Sequence, residues 1–231
     1  MKRFYRDATA APDGDAYGIA LDGKALRTPA KRVLALSNRA LAEAIAAEWH
    51  AQEDQVNPDS MPLMRFASTA IDRVADRPEE VIDEIARYGA TDLLCYRAGH
   101  PPDLVARQRE TWQPLLDWAR DRFGAALEVT VGVVPLTQPP RAVAALRTAV
   151  AGHGPMPLTA LHAVTTVTGS AVLGLALAEQ RIDPEAVWAA SQLDETFQIE
   201  QWGEDSEASE RRAALKVEIA AAGRFMVLCR A

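Results

Sequence analysis

Four histidines (His50, His100, His153, His162) and two cysteines (Cys95, Cys229) are the side chains best suited to metal or nucleophilic chemistry. None of them has the spacing that chemistry needs. A zinc site draws its ligands from short, repeated His/Cys intervals, and no such interval occurs, so no metal ligand is assigned. The adjacent acids Glu79/Glu80, Asp194/Glu195 and Glu204/Asp205 are the nearest approach to a carboxylate pair. Neighbours on a helix point about 100° apart and cannot flank one scissile bond. No phosphate-binding loop, dinucleotide fingerprint or nucleophile elbow is present. Asp22-Gly23-Lys24 reads as a hairpin turn and lacks the helix N-terminus an anion site requires. The expectation is a chain with no catalytic residue and no cofactor.

Recognition is better represented than catalysis. In Leu193–Glu204, good helix formers lead to a tryptophan, a glycine and further acid. Wound as one helix from Trp188, the segment puts Trp188, Glu195, Ile199 and Trp202 on one stripe, with Leu193 and Phe197 roughly opposite. A carboxylate within an aromatic and aliphatic stripe needs a counter-charge. Either an arginine of the chain itself supplies it, or a partner protein does. Between Asp194 and Glu218 eight acids face only Arg211, Arg212 and Lys216. Most such charge runs are solvated helix faces. The candidate partner-binding residues are therefore Trp188, Glu195, Glu200, Trp202 and Glu204. Trp49, Trp112 and Trp118 recur with aliphatics at helical spacing and are read as core.

The elements that must position these residues follow from pattern. With 231 residues, 48% of them hydrophobic, the chain can fill one large domain or a small and a medium one. Tyr17–Leu21, a turn at Asp22-Gly23 and Lys24–Arg27 form a hairpin, and Arg32–Leu36 forms another strand. Ser37 is placed as the cap of a helix over about 38–53, with Leu41, Ile45 and Trp49 on its apolar stripe. Asn57-Pro58 marks a domain boundary, dividing the chain into 1–58 and 59–231. Beyond it helices are expected at about 61–75, 78–88, 102–123, 140–152, 157–180, 184–202 and 206–230. Asp92–Tyr96 suits either a short strand or a helical turn, and Leu127–Val134 is an extended run. Gly89 and Gly124 are read as C-caps. The fold class is α+β: a small N-terminal α+β domain and a larger, mainly helical one.

The net charge of −7 argues against nucleic-acid and anionic-membrane partners, which need clustered basic surface. Ala160–Ala178 is the longest apolar stretch, but it lacks aromatic belts and basic anchors, so it is read as a central helix without membrane insertion. The basic N-terminus has no apolar core of signal-peptide length behind it. Two distant cysteines suit buried thiols in a reducing cytoplasm.

Taken in order, the short motifs resemble one family. Phe4-Tyr5, Leu21-Asp22-Gly23-Lys24, Thr28-Pro29, Ala47-Glu48-Trp49 and Gln52 lead. Met61-Pro62-Leu63, Thr69-Ala70-Ile71-Asp72 and Thr91 through Arg97 follow. Then come Gln108, Trp112 through Leu115, Trp118, Ser170, and Glu195 through Gly203. This series resembles the ATP12-like family, the assembly chaperones of the F-type ATP synthase alpha subunit. Gln113 departs from the aspartate usual before that proline, and the absence of a transit peptide fits a bacterial, cytoplasmic member.

The resemblance implies a protein that binds the unassembled alpha subunit, shields its beta-facing surface and yields it to beta. It also implies no cofactor, and a monomer when free. Two other classes are kept open: a hydrolase or transferase with a carboxylate site in the inter-domain cleft, and a structural subunit of a larger complex. A pocket with perturbed carboxylates would mark the former.

Overall fold

The N-terminal sheet is built on tight turns. In the computed structural model, which describes residues 2–230, strands β1 (Ala8–Asp13), β2 (Ala16–Leu21) and β3 (Lys24–Ala25) pair antiparallel in that order. The β2–β3 turn needs two successive left-handed residues, and Asp22 (φ 48°) and Gly23 (φ 79°) supply them. The Asp22 carboxylate also accepts the amides of Arg6 and Asp7, at 3.1 and 2.9 Å. Helix α1 (Arg39–His50) packs on this sheet through Leu41, Ile45 and Trp49. Its cap is Asn38 and not Ser37: the Asn38 carboxamide accepts Leu41 N at 2.8 Å and donates to the Leu228 carbonyl.

Helix α2 (Pro62–Asp72) starts without a cap of its own. Glu48 supplies one from α1, its two oxygens accepting Leu63 N and Met64 N at 2.8 Å each. Burial pushes the Glu48 carboxyl up, opposed by those two amides. At the other end of α2, Thr28 Oγ1 donates to Asp72 at 2.6 Å. The residues up to Pro78, with Gly154–Ala160 and the chain from Arg224 onward, make one compact unit. Its core holds Ile19, Leu36, Leu41, Ile45, Phe66 and Phe225.

The second unit, Glu79–His153 with Leu161–Gly223, is helical apart from one strand pair. It contains α3 (Pro78–Tyr88, from Glu79), β4 (Tyr96–Arg97), α4 (Pro102–Phe123), β5 (Thr130–Val131) and α5 (Pro140–Ala151). The later part of α6 (Pro155–Thr168), then α7 (Ala171–Ala178), α8 (Pro184–Ser191), α9 (Leu193–Trp202) and most of α10 (Ser206–Leu228) complete it. All eight residues of α7 are buried, which is how a helix apolar on every side is accommodated. The α+β class is as the sequence indicates, with a small N-terminal sheet and a helical remainder.

Several local expectations are corrected. Ala160–Ala178 is two helices: Gly169 (φ 69°) ends α6, and Ser170 caps α7 by accepting Leu173 N at 3.0 Å. The expected helix over 184–202 also breaks, at Gln192. Arg32–Leu36 forms only isolated bridges, and Leu127–Val134 yields a two-residue strand parallel to β4. The segment before Ala16 forms β1, which the sequence reading omitted. Asp92–Tyr96 combines a single 3-10 turn, Leu93–Cys95, with the first residue of β4. Gly89 follows α3, yet its φ is not positive. A Cβ there would lie 2.6 Å from Leu146 Cδ1, so the Leu146 side chain would have to move to admit one.

Candidate functional site: an acidic, aromatic surface on α8–α10

Helix α4 carries the surface. Along one side, Arg107 pairs with Glu200 at 2.7 Å and lies over the Phe197 ring, 5.3 Å from its centroid. One position on, Gln108 donates to Asp194 at 2.7 Å. A turn later Trp112 Nε1 donates to the Ala190 carbonyl at 2.8 Å. Three ties at helical spacing therefore hold α8 and α9 against α4. The Trp112 ring in turn lies under the buried Arg97 guanidinium, whose Nη1 donates to the Gln108 carbonyl.

The break at Gln192 divides the stripe expected from Trp188 to Trp202. Trp188 belongs to α8, is half-buried and lies under the guanidinium of Arg212, 5.5 Å away. Glu195 sits in the first turn of α9. It is exposed, and its carboxylate has no ion-pair or hydrogen-bond partner among the described residues. Of the two counter-charges the sequence allowed, the internal arginine is thus not supplied. Trp202, the last residue of α9, is 79% exposed, an unusual position for an indole. Gly203 ends α9 at φ 85°, and Glu204 beyond it pairs with Arg212 at 3.2 Å.

Arg212 is the residue that sequence reasoning missed. Its Nη1 meets Glu204, its Nη2 donates to Thr196 Oγ1 at 3.1 Å, and its plane covers Trp188. One side chain from α10 thus holds α8, α9 and the segment after Gly203 together. Its place in a charge run was the only available signal. Replacing it with alanine is expected to lower stability by about 1–2 kcal/mol, the combined scale of a cation–π contact and a charged hydrogen bond. Amide exchange across α9 should rise with it. Lysine should not restore either property, because an ammonium cannot stack and fork at once.

This surface has the ingredients of docking and none of bond-making. It joins one exposed indole, one unpartnered carboxylate and two arginine-held acids, with no nucleophile among them. Among the described residues no cluster of His, Cys, Asp or Glu is fit to hold a metal. The perturbed carboxylates lie elsewhere and are occupied. Asp92 is fully buried and pushed up to about 6, chiefly by burial, and Glu48 caps α2. Burial likewise pushes both thiols up to about 12, leaving them as thiols at neutral pH. No helix among the described residues is long and apolar enough to cross a membrane.

The family model described as ATP12 chaperone protein matches residues 2–120. The crystal structure of Atp12 from Paracoccus denitrificans is 42% identical, with a TM-score of 0.94 over 99% of this chain and 98% of that one. An aspartate-to-lysine mutant of the same protein matches at 41% identity, with the same score and coverage. A protein from Agrobacterium tumefaciens, to which a chaperone role is ascribed, is 46% identical. Its TM-score is 0.93, over 98% of this chain and 85% of that one.

Proposed function

Given that this chain belongs to the ATP12 chaperone family, we propose that it binds the unassembled alpha subunit of the F-type ATP synthase. It covers the surface alpha later presents to beta, and gives that surface up when beta arrives. The observation that carries the reading is the pairing of a 79% exposed Trp202 with a partnerless Glu195 on one short helix. A subunit awaiting assembly exposes apolar area that would otherwise aggregate. Its shield needs an aromatic anchor, since tryptophan dominates interface hot spots, and a charged rim. The rim contacts also let a competing subunit displace the shield, because charge pairs at a rim govern encounter more than residence. In this reading Trp202 is the anchor, Glu195 makes the charged contact, and Glu200, Glu204 and Trp188 shape the surface. The chain works as a cytoplasmic monomer, without cofactor.

The reading is tested by titrating purified alpha subunit onto the wild-type chain and Glu195→Lys. Because Glu195 has no ion-pair or hydrogen-bond partner among the described residues, the variant's unfolding free energy should stay within about 0.5 kcal/mol of wild type. Its affinity for alpha should fall at least about tenfold. An unchanged affinity in a folded variant removes Glu195 from the interface.

A further inference from the structure

Strand β5 presents an open edge. Its register with β4 pairs Tyr96 with Thr130 and Arg97 with Val131, and Gly132 N donates to the Arg97 carbonyl at 2.8 Å. Just before the strand, the buried Gln138 carboxamide bonds both main-chain groups of Glu128, at 2.8 Å each. Glu128, Thr130 and Gly132 thus turn their main chain inward. By the alternation of a strand, Val129 and Val131 turn theirs outward. Their main-chain groups there have no partner among the described residues.

The side chains along this edge are apolar and bare. Val133 is 93% exposed and Val131 62%, with Val129 and Val134 exposed beside them. No other stretch of the described residues gathers so many exposed large hydrophobics. A hollow of about 700 Å³ continues from the edge along α4, past Gly99, Val105, Ala106 and Pro114. Gly99 joins the two, since a Cβ on it would lie 3.0 Å from Val131 Cγ1. A ladder of two short strands is marginal alone, and an open apolar edge is a template for another strand.

The chemistry of the edge restricts its occupant. A cover must bond Val129 and Val131 at a repeat of about 7 Å and lay apolar groups on the valines. Extended polypeptide does both, whereas an acyl chain brings no donor or acceptor. A second copy of this chain fits poorly. Gly132 (φ 79°) turns the strand away after Val131, so two β5 edges share only a few residues. Two facing patches of a few hundred Å² also fall short of the ~1,200 Å² that a stable dimer buries. The same small area suits a contact that must later be released.

We propose that β5 accepts a third strand from the unassembled client, an extended segment with apolar side chains at alternate positions. The ladder supplies affinity, and the valines select the apolar alternation. The proposal rests on the chaperone reading above, since it makes the client the donor of the strand. With the α9 surface of the same helical unit it gives the chain two weak holds, each raising the local concentration of the other.

The test is residue-resolved amide exchange of the full chain, alone and saturated with purified alpha subunit. The Val129 and Val131 amides should exchange at least about tenfold slower in the complex. The Gly132 amide, already bonded to Arg97, should change little. Val133→Lys, at the most exposed of the four valines, and Val131→Pro, which deletes an outward N–H, should each weaken alpha binding about fivefold. A complex in which both amides exchange as in the free chain overturns the proposal and leaves the chaperone reading standing. So does an affinity indifferent to both substitutions. Protection that grows with the chain's own concentration, without alpha, overturns it in favour of self-association. A second arm uses a capped heptapeptide of alternating threonine and valine between two lysines, which should protect the same two amides. A chain that binds this peptide at β5 but never captures alpha overturns the client as the donor, and the chaperone reading with it.

Discussion

Trp112→Ala is expected to destabilise the protein by about 3–5 kcal/mol, the range for deleting a buried large aromatic. Trp112 is 1% exposed, at the middle of α4. Truncation leaves a cavity and removes the donor to the Ala190 carbonyl. It also takes the ring from beneath Arg97, a cation that burial already disfavours, pulling its pKa down. These losses share one site and will not add simply. Against a typical total of ~5–15 kcal/mol they take a large fraction of the stability. The same change frees α8 from α4, so exchange protection in α8 and α9 should fall further than in α5. Trp112→Phe keeps most of the apolar area and loses only the N–H, so about 1–2 kcal/mol is expected. Urea unfolding reads both variants. A cost below about 1 kcal/mol for the alanine variant would show that α4 is not the scaffold of the docking surface.

Asp92→Ala is expected to be of similar size, about 3–5 kcal/mol, for a different reason. The Asp92 carboxylate accepts Ser170 Oγ at 2.7 Å, and Val172 N and Leu94 N at 3.1 Å. Alanine strands three buried donors at the junction where α6 gives way to α7. The pH dependence has an unusual sign. Burial raises the Asp92 pKa from 3.8 to about 6, so the folded state holds this proton more tightly than the unfolded one. Below 3.8 both states are protonated and the contribution is fully present. As pH rises from 3.8 to about 6 the unfolded chain ionises first, and about 3 kcal/mol is lost across that window. Above it the contribution is flat. Asp92→Asn, which cannot ionise, should remove this component. Its stability relative to wild type should therefore rise between pH 4 and 6, read as the difference between two melting-temperature profiles. A pH-independent difference would mean that Asp92 is ionised throughout, held by its three donors.

How much of this was legible in the sequence depends on the range of the interaction that decided it. Helix α4 was read to the residue, because Pro102 opens it, Gly124 (φ 75°) closes it and the spacing between is periodic. The hairpin turn at Asp22-Gly23 was equally local. Strand β1 was missed because Ala-Thr-Ala-Ala-Pro-Asp has neither alternation nor β-branched weight, and its state is set by pairing with β2. The break between α6 and α7 was invisible for a sharper reason: a carboxylate 78 residues away helps to fix it.

The family motifs largely mark such fastenings. Thr28 holds Asp72, Glu48 caps α2, Asp92 binds Ser170, and Gln108 holds Asp194. The candidate site was legible in residue types but not in arrangement. Glu195 and Trp202 do share a helix, whereas Trp188 lies beyond the turn at Gln192, where the Arg212 guanidinium that covers its ring also meets Thr196 and Glu204.

The most direct test is co-expression of this chain with the ATP synthase alpha subunit of the same organism, with and without beta. Alpha that stays soluble, co-purifies with the chain and leaves it when beta is added is the predicted result. Glu195→Lys, expressed at the same level, should return alpha to the insoluble fraction. Insoluble alpha beside a well-folded wild-type chain would contradict the chaperone account.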